Sequence, residues 1–202
     1  MNGVVFVKSY SAPEWNRREI LRYASCAGAD RRTDALMEEC IAEIEPMLCY
    51  RVCFARFPVE IAGQEIDLGF AKVQSKALER NLASCREIVL FAATVGLAPE
   101  RGAARYARVS PAKALFFDAI GAERVEALCD AFCAEIKAEA EKNGGFVRPR
   151  FSAGYGDLPL DLQKDIFRAL SPEKHIGACL GESLIASPAK TVTAIVGVGK
   201  NN

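Results

Sequence analysis

Residues 88–95, Ile88-Val89-Leu90-Phe91-Ala92-Ala93-Thr94-Val95, form an almost unbroken apolar run that ends at Gly96. The run has the length of a strand. With no polar alternation, it predicts a strand buried on both faces. A chain of 202 residues, half of them hydrophobic, is long enough to build a core around it. The expected organisation is a single domain over residues 1–202, with residues 1–48 as a helical N-terminal part.

The flanking segments carry helical and strand signals in blocks. Ser11 and Glu14 have the spacing of a capping box, which predicts a first helix carrying Trp15, Ile20 and Tyr23 and stopping near Gly28. Met37, Cys40, Ile41 and Ile44 predict a second helix from Asp30 to Pro46. Cys49 to Phe57, extended by Val59 to Ile61, reads as strand. Ala62-Gly63-Gln64 reads as a turn, and Glu65 to Phe70 as the returning strand. A short helix starts at Ser75 with Leu78 and Leu82 on one face, and Pro99 opens a basic helix through Ala107. The longest helix begins at Ser110-Pro111 and carries the stripe Phe117, Gly121, Val125, Leu128, Phe132 and Ile136 up to Asn143-Gly144-Gly145. Leu162, Ile166 and Leu170 mark one more helix, ended by Pro172. Lys190 to Val198 reads as a final strand. Such blocks, without strict βαβ alternation, predict an α+β fold.

Composition excludes several classes of function. Lys plus Arg equals Asp plus Glu at 26 each, so there is no basic excess for nucleic acid. No segment reaches the roughly 18 apolar residues of a membrane span. The N-terminal apolar run lacks the basic stretch of a secretory signal. The expected compartment is the cytoplasm. The eight cysteines include no Cys-x-x-Cys pair, and His175 is the only histidine, so no metal site is expected. The cysteines read as small buried hydrophobes. Gly197-Val198-Gly199-Lys200 looks like the end of a phosphate loop, but it lacks the upstream glycine spacing and a following helix and reads as a frayed tail.

The segment from Phe146 to Pro159 breaks all periodicity, which directs attention to function. Arg150 offers a planar fork for a carboxylate. Gly154 and Gly156 permit close backbone approach and positive φ, and Tyr155 between them offers a face for a ring or a sulfonium. A ligand with a carboxylate, an aromatic base and a positive centre suits these groups, and S-adenosylmethionine has all three. A tight turn whose arginine caps a helix is the plainer reading of the same residues.

Arg150-Phe151-Ser152-Ala153-Gly154-Tyr155 resembles the Arg-x-x-x-Gly-Tyr motif of the activation (reactivation) domain of cobalamin-dependent methionine synthase. The stretches Gly154 to Gln163, Leu180 to Ser183 and Ser187 to Ile195 look like the short, stand-alone members of that family. Ala93 to Gly96 and Ser110 to Ala114 fit the same pattern. The resemblance implies a single curved α+β domain built on a twisted, mainly antiparallel sheet flanked by helices. It implies that Arg150 holds the ligand carboxylate, that the backbone near Ala153 and Gly154 reads the adenosine and amino group, and that Tyr155 lies beside the ligand, with Gly156 in the same loop.

The implied activity is reductive remethylation of cobalamin. The cobalamin would be supplied in trans by a methionine synthase or related corrinoid protein, with flavodoxin or ferredoxin as electron donor. No general acid or base in this chain is implied. Longer members carry proline at the positions of Phe151, Ala153 and Gly156, and an acidic residue at the position of Gly144. The group balancing the ligand's positive charges therefore falls to Glu182 or Asp157. Two rival readings are a binding or assembly subunit that has lost ligand affinity, and an ordinary small-molecule methyltransferase. The second expects a glycine-rich loop after the first strand of a doubly wound sheet, which this chain lacks.

Overall fold

A computed structural model describes residues 3–26, 28 and 30–201; the first two residues of the N-terminal segment lie outside them. The architecture is α+β. Five antiparallel strands form a curled sheet in the order β1-β2-β6-β10-β7: β1 (Phe6–Ser9), β2 (Arg51–Pro58), β6 (Cys85–Thr94), β10 (Thr191–Lys200) and β7 (Gly145–Val147). A three-stranded sheet, β3 (Glu60–Ala62), β4 (Glu65–Asp67) and β5 (Lys72–Val73), follows β2 in the chain. Strands β8 (Cys179–Leu180) and β9 (Ala186–Ser187) pair with each other.

β6 lies at the centre of the large sheet, hydrogen-bonded to β2 on one side and β10 on the other. Its apolar run divides by the two-residue period of a strand. Ile88, Leu90 and Ala92 join one core with Leu78, Leu82, Leu162, Ile166 and Leu170. These come from α3 (Lys76–Asn81), its C-cap and α6 (Leu162–Leu170). Val89, Phe91, Ala93 and Val95 join a second core with Val125, Leu128, Cys129, Phe132 and Ile136 of α5 (Pro111–Lys142). The strand is covered on both faces, as its sequence requires.

A third core packs α1 (Arg17–Tyr23) and α2 (Arg31–Ile44) on the N-terminal half of α5. Here α4 (Ala98–Tyr106) crosses α5 closely. A Cβ at Gly102 would lie 1.8 Å from the Phe117 ring, and one at Gly121 would lie 2.5 Å from Pro99. Gly121 thus sits in the apolar stripe because the Pro99 ring and the Lys190 side chain occupy its side-chain space. No helix among the described residues is long and apolar enough to cross a membrane, and no group of metal-binding side chains occurs among them.

Several expectations need correction. Helix α1 is capped by Asn16, whose side chain accepts from the Glu19 amide at 3.3 Å, and not by Ser11. The carbonyls of Pro13 and Glu14, which a longer helix would use, each accept from the Arg124 guanidinium at 2.7 Å. Trp15 lies against that guanidinium, 3.9 Å from it. Pro172 follows the end of α6 but opens a new helix, α7 (Pro172–Ile176), where its missing N–H does no harm. Residues 197–200 are strand, not a frayed tail. Asp30 and Ser75 do cap α2 and α3, and Gly63, at φ +62°, turns β3 into β4.

The cysteines are all free. Cys40, Cys53 and Cys129 are buried, four others are half-buried and Cys179 is exposed. Burial pushes Cys40 up to about 11 and Cys53 up to about 12.

Candidate functional site

The segment that looked aperiodic is an interrupted edge strand. β7 pairs with the end of β10, the Arg148 amide donates to the Gly197 carbonyl at 2.8 Å, and Phe151 bridges Ile195 through bonds of 2.8 and 2.9 Å. Pro149, which has no N–H, sits between these anchors, and its carbonyl accepts from Asn81 Nδ2 at 3.0 Å. Arg150 is therefore carried on backbone fixed from both sides.

The chain then turns sharply. The Tyr155 amide donates to Ser152 at 3.2 Å, the Gly154 amide to Leu158 at 3.0 Å and the Leu158 amide to Tyr155 at 3.1 Å. Gly154 has φ +86° and Gly156 φ +60°, a region that disfavours a side chain. A Cβ at Gly154 would also press on Leu160 at 3.1 Å. Because the Gly154 amide is already engaged within the turn, it is not available to a ligand.

Beside the turn lies a cleft of about 570 Å³, lined among others by Asn81, Glu126, Arg150, Phe151, Ser152 and Tyr155. That volume falls in the range of small-molecule sites. Phe151 is buried and meets Tyr155 edge to face, with centroids 5.3 Å apart, while Tyr155 itself is 69% exposed at the rim. Of the residues singled out from sequence, Arg150 and Tyr155 line the cleft. Ala153, Gly154 and Gly156 shape the turn behind it without being part of its wall.

Glu182 stands exposed in the turn between β8 and β9 and is not part of the wall. Asp157 faces away and caps α3. It accepts from Ser75 Oγ, from the Lys76 amide at 2.8 Å and from the Ala77 amide at 3.2 Å. The Ser75 bond and those amides hold its carboxyl below the usual aspartate range.

The acidic partners of Arg150 come from α5 and were not singled out in the sequence. Arg150 Nη2 lies 2.5 Å from Glu126 and 3.2 Å from Asp130. On a helix these two carboxylates are four residues apart and share a face, but their periodicity is that of any solvated surface. Two buried atoms around the cleft have no hydrogen-bond partner: Arg150 Nη1, a donor, and Asn81 Oδ1, an acceptor. Buried polar atoms are rarely left unpaired. A ligand carrying an anionic oxygen and a hydrogen-bond donor complements this pair. The nearby thiols are not poised for reaction: burial pushes Cys133 up to about 11 and raises Cys129 as well.

No protein-family model matches the chain, and no curated protein matches it in sequence. Solved structures do match it in fold. The chain is similar to a crystal structure of the MetH reactivation domain bound to AdoHcy, with a TM-score of 0.67 over 97% of this chain and 78% of that one, at 17% identity. At that identity the likeness is one of fold.

Proposed function

We infer that the chain is an S-adenosylmethionine-binding module that serves the reductive remethylation of cobalamin on a partner methionine synthase or related corrinoid protein. One coincidence carries this reading. The Arg150–Tyr155 motif lines a cleft with unsatisfied buried polar atoms, in a fold shared with a domain crystallised with AdoHcy.

In this reading Arg150 holds the ligand carboxylate through the unpaired Nη1, and Glu126 takes the adjacent ammonium. Glu126 thus fills the role for which the sequence offered Glu182 and Asp157. Asn81 Oδ1 accepts from the nucleoside portion, Phe151 forms an apolar wall, and Tyr155 flanks the ligand at the exposed rim, where a partner can reach it. The backbone of Ala153 contributes beside Gly154 and Gly156, whose turn keeps the cleft wall close. The bound ligand supplies a methyl group on a sulfonium. The chain supplies only proximity and orientation. Flavodoxin or ferredoxin remains the proposed electron donor.

The Arg150–Glu126–Asp130 contact favours a second reading, a binding or assembly subunit without ligand affinity, because it partly occupies the guanidinium from within. Calorimetric titration with S-adenosylhomocysteine separates the two. Saturable binding at one site supports the module; no heat at millimolar ligand leaves the assembly subunit.

A further inference from the structure

The stretch from Gly197 to Lys200 takes part in a second hollow, away from the cleft at Tyr155. Strand β10 bulges between Val198 and Gly199, where its register against β6 slips from Glu87 to Cys85. Neither glycine has room for a side chain. A Cβ at Gly197 would meet Cys85 Sγ at 2.7 Å, and one at Gly199 would meet the Phe146 ring at 2.3 Å. Their absence lets Phe146 and Arg148 lie across the end of β10, beside Lys200. The hollow next to them measures about 530 Å³ and is walled by Ser84, Cys85, Arg86, Phe146, Arg148, Lys200 and Asn201.

Three of these residues are cations and none is a carboxylate. Among the described residues, Arg86, Arg148 and Lys200 take part in no ion pair. The carboxylate next in sequence, Glu87, is held by Arg56 at 2.7 Å. Arg148 is fixed in place: its Nη2 donates to the Ala83 carbonyl at 2.9 Å, and its guanidinium lies 4.9 Å from the Phe146 ring centre. Its Nε is buried without a partner. Three like charges sharing one concave wall repel each other and focus a positive potential into the hollow. An oxyanion with several oxygens removes that repulsion and suits a guanidinium flanked by two exposed cations.

We propose that this hollow binds the phosphate group of a small soluble ligand, with the Arg148 guanidinium as the fixed charge and Arg86 and Lys200 as the flanking charges. The proposal does not rest on the reading of the Arg150 cleft. Its test is calorimetric titration with inorganic pyrophosphate, against sodium chloride at matched ionic strength. The wild-type protein is compared with the Arg86→Gln/Lys200→Gln variant and with Arg86→Gln alone; both side chains are exposed, so folding is retained. Saturable binding that weakens about tenfold or more in the double variant is expected. Absence of saturation, an equal response to chloride, or unchanged affinity in both variants overturns the proposal. Binding confined to vesicles of anionic phospholipid, with none to pyrophosphate, also overturns it and assigns the cations to a membrane surface.

Discussion

Replacing Arg150 with methionine removes the guanidinium while keeping an unbranched stem in place of its aliphatic part. Its effect on ligand binding can be worked from the surroundings. Two unit charges at about 4 Å interact by about 4 kcal/mol at an effective dielectric near 20. Charge-assisted hydrogen bonds measured by substitution contribute about 1.5–3 kcal/mol. The Arg150 side chain is 26% exposed and already shared with Glu126 and Asp130, so the lower range applies. A loss of about 2–3 kcal/mol corresponds to a roughly 30- to 150-fold weaker Kd for S-adenosylhomocysteine.

The control is 5′-methylthioadenosine, which shares the nucleoside thioether but has no carboxylate or ammonium. Its affinity should stay within about twofold, because the lost interaction is to the amino-acid end alone. Calorimetry on both proteins with both ligands forms a closed cycle. Equal Kd values for S-adenosylhomocysteine in the two proteins would refute the assignment. So would a parallel loss for both ligands, since that would show a collapsed cleft and not a missing contact.

Two further outcomes follow from the packing. Arg124→Met leaves Glu123, only 3% exposed, as a buried charge without its partner, and should destabilise the chain by about 3–5 kcal/mol in urea unfolding. Adding Glu123→Gln should recover part of that loss, and a single-variant cost under about 1 kcal/mol would contradict the burial argument. Asp157→Asn should lower the melting temperature at neutral pH by weakening the α3 cap. The folded-state pKa of Asp157 is depressed, so its contribution is present above the unfolded value of about 3.9 and is lost as pH falls through the folded value. Melting curves of the two proteins should converge there; a gap that persists at lower pH would show that the carboxylate charge is not the cause.

The parts legible in the sequence are those whose pattern reports burial directly. β6 was readable because eight positions without polar alternation have only one comfortable place in a sheet. The stripe from Phe117 to Ile136 was readable because a helix has one period. Asp30, Ser75 and Gly63 act through neighbours two or three residues away, so local chemistry sufficed. Ser11 failed because a competing donor, Arg124, lies far along the chain and captures the carbonyls the helix needed. β7 was hidden because an edge strand broken by Pro149 takes its order from β10. Glu126 and Asp130 were hidden for a similar reason. Nothing on α5 distinguishes them from other surface acids until residues 148–151 are laid against that helix.

On the proposed function, that placement bears on what the cleft would accept. An arginine alone would bind any carboxylate. Here Nη2 is engaged by Glu126 and Asp130, while Nη1 is buried without a partner. A simple anion approaching Nη1 also approaches two carboxylates, and their repulsion offsets much of the gain. An α-amino acid brings an ammonium one carbon away from its carboxylate, so the same acids become partners. On the proposed function, the internal ion pair would serve as a filter for zwitterions as well as a restraint on the guanidinium. A restrained side chain loses less entropy on binding. The contact that first looks like a rival for the ligand is therefore compatible with recognising it, provided that the ligand carries both charges.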